Sequence, residues 1–191
     1  MNRLFDHINS RISISESEFD IIAQKLRELK FKKKEVIIKP SQLTTFHFFV
    51  LNGCLRSYFI DSTGKEHTVS FAIEDWFVGD YISYFGGEKS ILYVQCIEDC
   101  HLVRIDKDIW ESLYHEIPKL ESYTRINLER SFVASQRKTI NNLSLSARER
   151  YSIFRSTYPN IEQRVKNYHI ASYLGITPES LSRVRREYQQ A

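Results

Sequence analysis

The spacing of apolar positions changes character three times along the chain. Near the N-terminus, Ser15-x-x-Glu18 forms a capping box, and Phe19, Ile22, Leu26 and Leu29 recur behind it at helical spacing. This predicts an amphipathic helix over 16–30. The triplet Lys32-Lys33-Lys34 reads as a solvated turn. From Glu35 to about Asp106 the pattern becomes short runs rich in aromatic and β-branched residues: 36–38, 46–51, 55–60, 69–73, 76–82, 91–97 and 102–105. Turn signals separate them at Asn52-Gly53, Asp61-Ser62-Thr63-Gly64, Gly79-Asp80, Gly86-Gly87 and Glu98-Asp99. Val69, Phe71 and Ile73 alternate with Thr68, Ser70 and Ala72, as in a half-buried strand. Short strands at this spacing predict an antiparallel sandwich or roll.

Past Asp106 the pattern is helical. Asp108 to Leu113 predicts a short helix, and Pro118 marks the start of another. From Lys119 to about Asn141 there is neither Gly nor Pro. Leu120, Tyr123, Ile126, Val133 and Ile140 form one apolar strip, and Leu128 and Phe132 a second. A face this wide needs partners: one side covers the roll, and the other pairs with a second copy or packs within its own chain. Ser146 to Thr157 predicts a further helix, with a loop at Pro159-Asn160. In the closing stretch YHIASYLGITPESLSRVRRE, Ala171, Leu174 and Ile176 precede and follow Gly175, a turn residue that tolerates positive φ. Thr177 is placed to cap a second helix, with Pro178 at its first position. Leu181 and Val184 share one face of that helix, and Ser180, Arg183 and Glu187 another. This is the layout of a helix-turn-helix, or of a plain αα-hairpin with solvated arginines.

Charge separates these choices. Residues 1–115 hold 14 Lys+Arg against 17 Asp+Glu, and residues 116–191 hold 13 against 7. The front is net −3 and the rear +6, so only the rear suits a polyanion. The N-terminus lacks the apolar core of a signal peptide, and no run approaches the roughly 20 apolar residues of a membrane span. A cytoplasmic protein with reduced Cys54, Cys96 and Cys100 is expected; Cys96 and Cys100 read as packing residues. The six histidines (7, 47, 67, 101, 115 and 169) show no metal-ligand spacing, and there is no nucleophile elbow, P-loop or H-E-x-x-H. Neither a bound metal nor catalysis is expected.

The order of elements resembles the Crp/Fnr family of bacterial transcription regulators. FFVLNGCLRSYFIDSTGKEHTVSFAIEDWFVGD is similar to the family's cyclic-nucleotide-binding domain, with Gly53, Gly64 and Gly79 at its turns, and HIASYLGITPESLSRVRR is similar to its helix-turn-helix. The resemblance implies an α+β chain. A cyclic-nucleotide-binding-like antiparallel β-roll covers 1–116, a long dimerisation helix 117–142, and an all-α helix-turn-helix domain 143–191. It also implies a homodimer on double-stranded DNA, RNA polymerase as a protein partner, and a small-molecule effector acting on the roll to reorient the DNA-binding helices. The effector pocket would comprise Gly79, Asp80, Lys89 and Ser90. Asp80 stands where relatives that bind cAMP have the ribose-binding Glu, and Lys89-Ser90 where they have Arg-Ser or Arg-Thr. A shorter carboxylate, and a point charge in place of a guanidinium fork, disfavour cAMP and leave the effector open. No cysteine precedes Cys54, which removes the N-terminal cluster of the family's iron–sulfur sensors.

For DNA, the resemblance places Glu179, Ser180 and Arg183 at base edges. Glu179 suits a cytosine amino group and Arg183 a guanine O6 and N7. The two are four apart, so the same face could equally hold an exposed ion pair. Pro178 replaces the first Arg of the family pattern, removing one base contact. Thr177, Ser180 and Ser182 are candidates for phosphate or base contacts, and Arg185 and Arg186 for phosphates. Tyr168 and His169 touch the DNA backbone or pack. Only Tyr188 to Ala191 follow the recognition helix, too few for a wing. The alternative from another class is a ligand-sensing or protein-interaction module that does not bind DNA.

Overall fold

The structure, a computed structural model, describes residues 1–189; Gln190 and Ala191, at the end of the expected short tail, lie outside the described residues. A first helix α1 (Asn2–Asn9) has no sequence signature beyond Leu4 and Ile8, both fully buried. Ser15 then caps α2 (Glu16–Lys25) with both halves of the capping box formed. The helix stops at Lys25, five residues short of the expected end. Leu26 is already extended, and β1 (Arg27–Phe31) pairs antiparallel along β8 (Cys100–Asp106). The helical reading counted Leu29, yet Leu29 and Phe31 alternate with exposed Glu28 and Lys30. The period is two, and the open edge of β8 supplies the ladder.

The strands β2 (Val36–Ile38), β3 (Phe46–Asn52), β4 (Leu55–Ile60), β5 (Glu66–Ala72), β6 (Phe77–Val78), β7 (Tyr93–Cys96) and β8 form two four-stranded antiparallel sheets. One runs β1-β8-β3-β6 and the other β2-β7-β4-β5. The expected strand over 76–82 is only Phe77–Val78, because Asp80 caps a helix, α3 (Tyr81–Gly86). Between the sheets lie Ile38, Phe48, Val50, Leu55, Val94 and Leu102. On the outer face of the first sheet, Phe49, Leu51, Val103 and Ile105 meet Leu4, Ile8, Phe19 and Ile22, with Trp110 and Leu113 of α4 (Lys107–Glu116). Phe48 to Leu51 of β3 are all apolar and buried because both faces of the strand are covered. Gly53 sits at φ 113°, and a Cβ there would lie 2.6 Å from Cys100 Sγ, so this hairpin requires glycine.

The second sheet is also covered outside. Its pairing shifts register between Ser57 and Tyr58, which leaves Val69 37% exposed, out of the expected alternation. Ala72 faces the roll interior, whereas Phe71 packs on Tyr158, Tyr173 and Phe154 at ring-centroid distances of 5.8, 5.5 and 6.2 Å. These aromatics belong to the C-terminal helices α6 (Ala147–Thr157) and α8 (Asn167–Leu174), with Tyr158 just past α6. Between the roll and these helices runs α5 (Lys119–Ser144), 26 residues long. Leu120 and Tyr123 are buried, but Leu128, Phe132, Val133, Ile140 and Leu143 are 42–84% exposed. Lys138 of α5 donates to the Val69 carbonyl and lies 4.0 Å from the Tyr173 ring, and burial lowers its pKa to about 8. No helix among the described residues is long and apolar enough to cross a membrane.

Phe71→Ala should therefore cost about 3–5 kcal/mol, the range for a buried aromatic truncation. Denaturant unfolding checks it. The loss should fall on the contact between roll and C-terminal helices, so the variant should unfold in two separated steps. A single step with unchanged midpoint would deny Phe71 that role.

Candidate nucleic-acid interface and nucleotide cassette

The C-terminal helices build their own core. α6 is capped by Ser146 in a second capping box with Glu149. Tyr151, Phe154, Ile161 of the short α7 (Ile161–Arg164), Val165, Ile170, Ala171 and Leu174 close around Leu181 and Val184. α8 ends at Gly175, left-handed at φ 67°, and the Ile176 N–H returns to the Ala171 carbonyl at 3.0 Å. Thr177 Oγ1 then accepts from the Ser180 N–H at 3.2 Å and opens α9 (Pro178–Gln189), with Pro178 first. α9 continues through Tyr188, so the recognition helix is longer than its motif suggested.

Burial of Leu181 and Val184 at 0% and 5% fixes the rotation of α9. Glu179, Ser182, Arg183, Arg186 and Glu187 consequently face solvent, with Thr177 at the end. Among the described residues, Arg183 and Arg186 make no ion pair or hydrogen bond, so the Glu179–Arg183 pair is not formed. Its own backbone N–H at the helix N-terminus, and then Thr177, lower the Glu179 pKa. Ser182 Oγ donates back to the Pro178 carbonyl at 3.1 Å, and Ser180 Oγ lies 3.3 Å from Thr177 Oγ1. Arg185 differs from its neighbours. It donates to Glu162 Oε1 and Asn167 Oδ1 at 2.7 Å each and is half-buried. Glu162 also accepts from the Tyr151 hydroxyl at 2.8 Å. Arg185 thus ties α9 to α7 and α8, and its donors are spent inside the domain.

In the roll, three of the four effector-pocket residues come together and the fourth does not. Gly79 lies so close to β3 that a Cβ would stand 2.9 Å from His47 Cβ. Asp80 is fully buried and accepts from the Ile82 and Ser83 N–H groups at 3.0 and 3.2 Å, capping α3. Its other oxygen takes the Ser90 hydroxyl at 2.6 Å. The carboxylate and the serine that would meet ribose and phosphate are bonded to each other, while Lys89 is exposed.

The sequence reading missed the groups that join the two halves. Arg56 on β4 is 3% exposed and donates to Glu66 at 2.6 Å, to Gln95, and to His169 Nδ1 at 2.8 Å. A guanidinium only donates, so His169 accepts at Nδ1 and carries its proton on Nε2. His169 therefore packs against the roll, while Tyr168 is 51% exposed. Arg164 of α7 bonds to Glu74 through two nitrogens, at 2.8 and 2.9 Å, and to Glu98 at 2.5 Å. The Ser172 hydroxyl accepts from the Thr68 N–H and donates to the Glu66 carbonyl, covering the edge of β5. Arg56 inside the apolar run CLRSYF was the one legible signal: a charge in a buried strand needs a partner.

The arrangement is a paired β-roll with a capped α3, joined by a long helix to a helix-turn-helix. Residues 28–116 match the family described as cyclic nucleotide-binding domain. The chain is 25% identical over 195 residues to the anaerobic regulatory protein of Haemophilus influenzae, covering 93% of this chain and 73% of that one. It is 23% identical over 193 residues to the fumarate and nitrate reduction regulatory protein of Vibrio cholerae, covering 94% and 76%. Among solved structures, FixK2 of Bradyrhizobium japonicum superposes with a TM-score of 0.72 at 17% identity, over 86% of this chain and 85% of that one. The c-di-GMP responsive global regulator CLP of Xanthomonas campestris does so with 0.71 at 15%, over 92% of each. Over most of its length the chain is thus similar to regulators of the Crp/Fnr type, and residues 28–116 carry the domain match.

Acid should loosen the junction between the halves. Burial, and then the Arg56 charge, lower the His169 pKa to about 4. Burial alone does most of the same to His7 and His47, also at about 4. The unfolded chain binds these protons near pH 6.5 and the folded chain does not. Stability is therefore full above about pH 6.5 and falls toward pH 4, by at most about 1.4 kcal/mol per pH unit per histidine. Chemical denaturation at a series of pH values checks this, and His169→Gln should remove one proton's worth of the slope.

Proposed function

We propose that this chain is a homodimeric, sequence-specific DNA-binding regulator of transcription. The observation that carries the reading is the solvent face of α9. Arg183 and Arg186 stand exposed and without an ion pair on a helix whose opposite face is locked into the domain core. Arg183 reads a base edge, with Glu179 one turn earlier on the same side, and Arg186 and Thr177 contact phosphates. Arg185 positions α9 instead of touching DNA, because Glu162 and Asn167 hold it. The exposed row Leu128, Phe132, Val133, Ile140 and Leu143 on α5 pairs with the same row of a second copy, placing two recognition helices on half-sites about 34–36 Å apart. The effector acting on the roll is not cAMP held through Asp80 and Ser90, since those groups satisfy one another.

A duplex selected from random sequence by the purified protein tests this. Arg183→Ala should weaken binding to it by about 1–3 kcal/mol and relax preference at one base pair. Arg186→Ala should weaken all duplexes alike and reduce the salt slope by about 1. Equal weakening of all sequences by Arg183→Ala would remove the base-reading role. Phe132→Glu should shift the species in light scattering from dimer to monomer and abolish binding to paired half-sites; an unchanged mass would move the dimer contact off α5.

A further inference from the structure

Apart from the Asp80–Ser90 cassette, the roll carries a half-open cavity of about 480 Å³ on the outer side of the first sheet. It lies between α1, α3, α4 and the first half of α5. Its volume is that of a drug-sized ligand site. Its walls are aromatic: Trp76, Phe77, Tyr81, Tyr84, Trp110 and Tyr123 line it. A cavity of this kind accepts flat rings by edge and face contacts.

The polar groups are few, and they are unequal at the two ends. Asp75 is neutralised by Arg3 at 2.7 Å. Glu111 lies by Tyr84 and Tyr114, where its charge helps raise both phenol pKa values. At the other end Arg11 and Arg130 stand near His7, where burial and then their charges lower its pKa, opposed by Asp75, which Arg3 already pairs. Arg11 donates only to the His7 carbonyl and the Ser10 hydroxyl, and its buried Nε has no partner among the described residues. Arg130 makes no ion pair there either. His47 is packed among Phe77, Tyr81 and Tyr84, and its buried Nδ1 also lacks a partner. Both His7 and His47 are neutral at ordinary pH. The cavity thus offers two guanidiniums beside a single carboxylate that Arg3 already holds, and a neutral imidazole with a free ring nitrogen. Buried polar side-chain atoms without partners are rare in folded chains, and two of the four among the described residues line this one cavity.

We infer that this cavity binds a planar aromatic acid, with its ring between Trp110, Tyr81 and Tyr84 and its carboxylate on Arg11 and Arg130. His47 Nδ1 faces a ring substituent that hydrogen-bonds to it. Because Tyr123, Asn127 and Ser131 form one wall, occupancy bears directly on the segment of α5 that leads to its exposed apolar row.

The only two tryptophans of the chain, Trp76 and Trp110, both line the cavity, so they report on its occupancy. The full-length protein is titrated with 2-naphthoate, its methyl ester and benzyltrimethylammonium while tryptophan emission is followed. Naphthoate should shift the emission saturably and bind roughly 10-fold more tightly than the ester, a charge-assisted contact being the difference. Arg130→Gln, a surface change, should erase that preference, and Arg11→Gln should do the same if it folds. Ala134→Phe at the rim should block entry. An excess of cAMP should leave the titration unchanged. Equal affinity for acid and ester, tighter binding of the ammonium, or displacement by cAMP would overturn the assignment. Absence of any saturable change would also overturn it, as expected if the second copy's α5 fills the cavity.

Discussion

A four-stranded sheet cannot keep two apolar faces dry by itself, and the second sheet of this roll has two. Its inner face closes on the first sheet through Leu55, Ala72 and Val94. Its outer face, centred on Phe71, closes on the C-terminal helices. The rest of the molecule follows from this constraint. Arg56 can be buried on β4 because Glu66, Gln95 and His169 complete its hydrogen bonds, and a buried guanidinium without such partners would be prohibitive. Arg164 is held at 21% side-chain exposure between Glu74 and Glu98 by the same closure.

That closure joins the roll to the C-terminal helices, with α5 running between them. α5 touches everything: the roll through Leu120 and Tyr123, β5 and α8 through Lys138, and water through its apolar row. A change in the rotation or pairing of α5 would be felt at Tyr173 and therefore along α8. The coupling is physical contact at each step, with charged and aromatic groups that have alternative partners in solvent. By contrast α9 is locked into its own domain by Leu181, Val184 and Arg185, so it moves as one body with α6 to α8.

The Asp80–Ser90 pair holds the turn into α3. Asp80 reaches two backbone N–H groups of α3 and the Ser90 hydroxyl at once. With both carboxylate oxygens engaged and full burial, the pair stabilises the turn. The aromatic cavity on the other side of α3 has the opposite character, with polar atoms left unmatched.

Much of this was legible in the chain of residues. The capping box at Ser15, the Gly175 turn, the Thr177-Pro178 start and the Leu181–Val184 spacing all act within a few residues, so local chemistry determines them. The succession of short strands likewise declared a roll. Tertiary structure decided what depends on distant partners. It ended α2 at Lys25, because β8 offered an edge to Arg27–Phe31. It turned Phe71 outward, because the C-terminal helices were there to receive it. It tied Arg185, a phosphate candidate by sequence, to Glu162 and Asn167, which lie within reach only after folding. And it gathered His7, His47, Trp76, Trp110 and Tyr123 around one cavity, from five separate segments whose spacing along the chain carries no trace of their meeting.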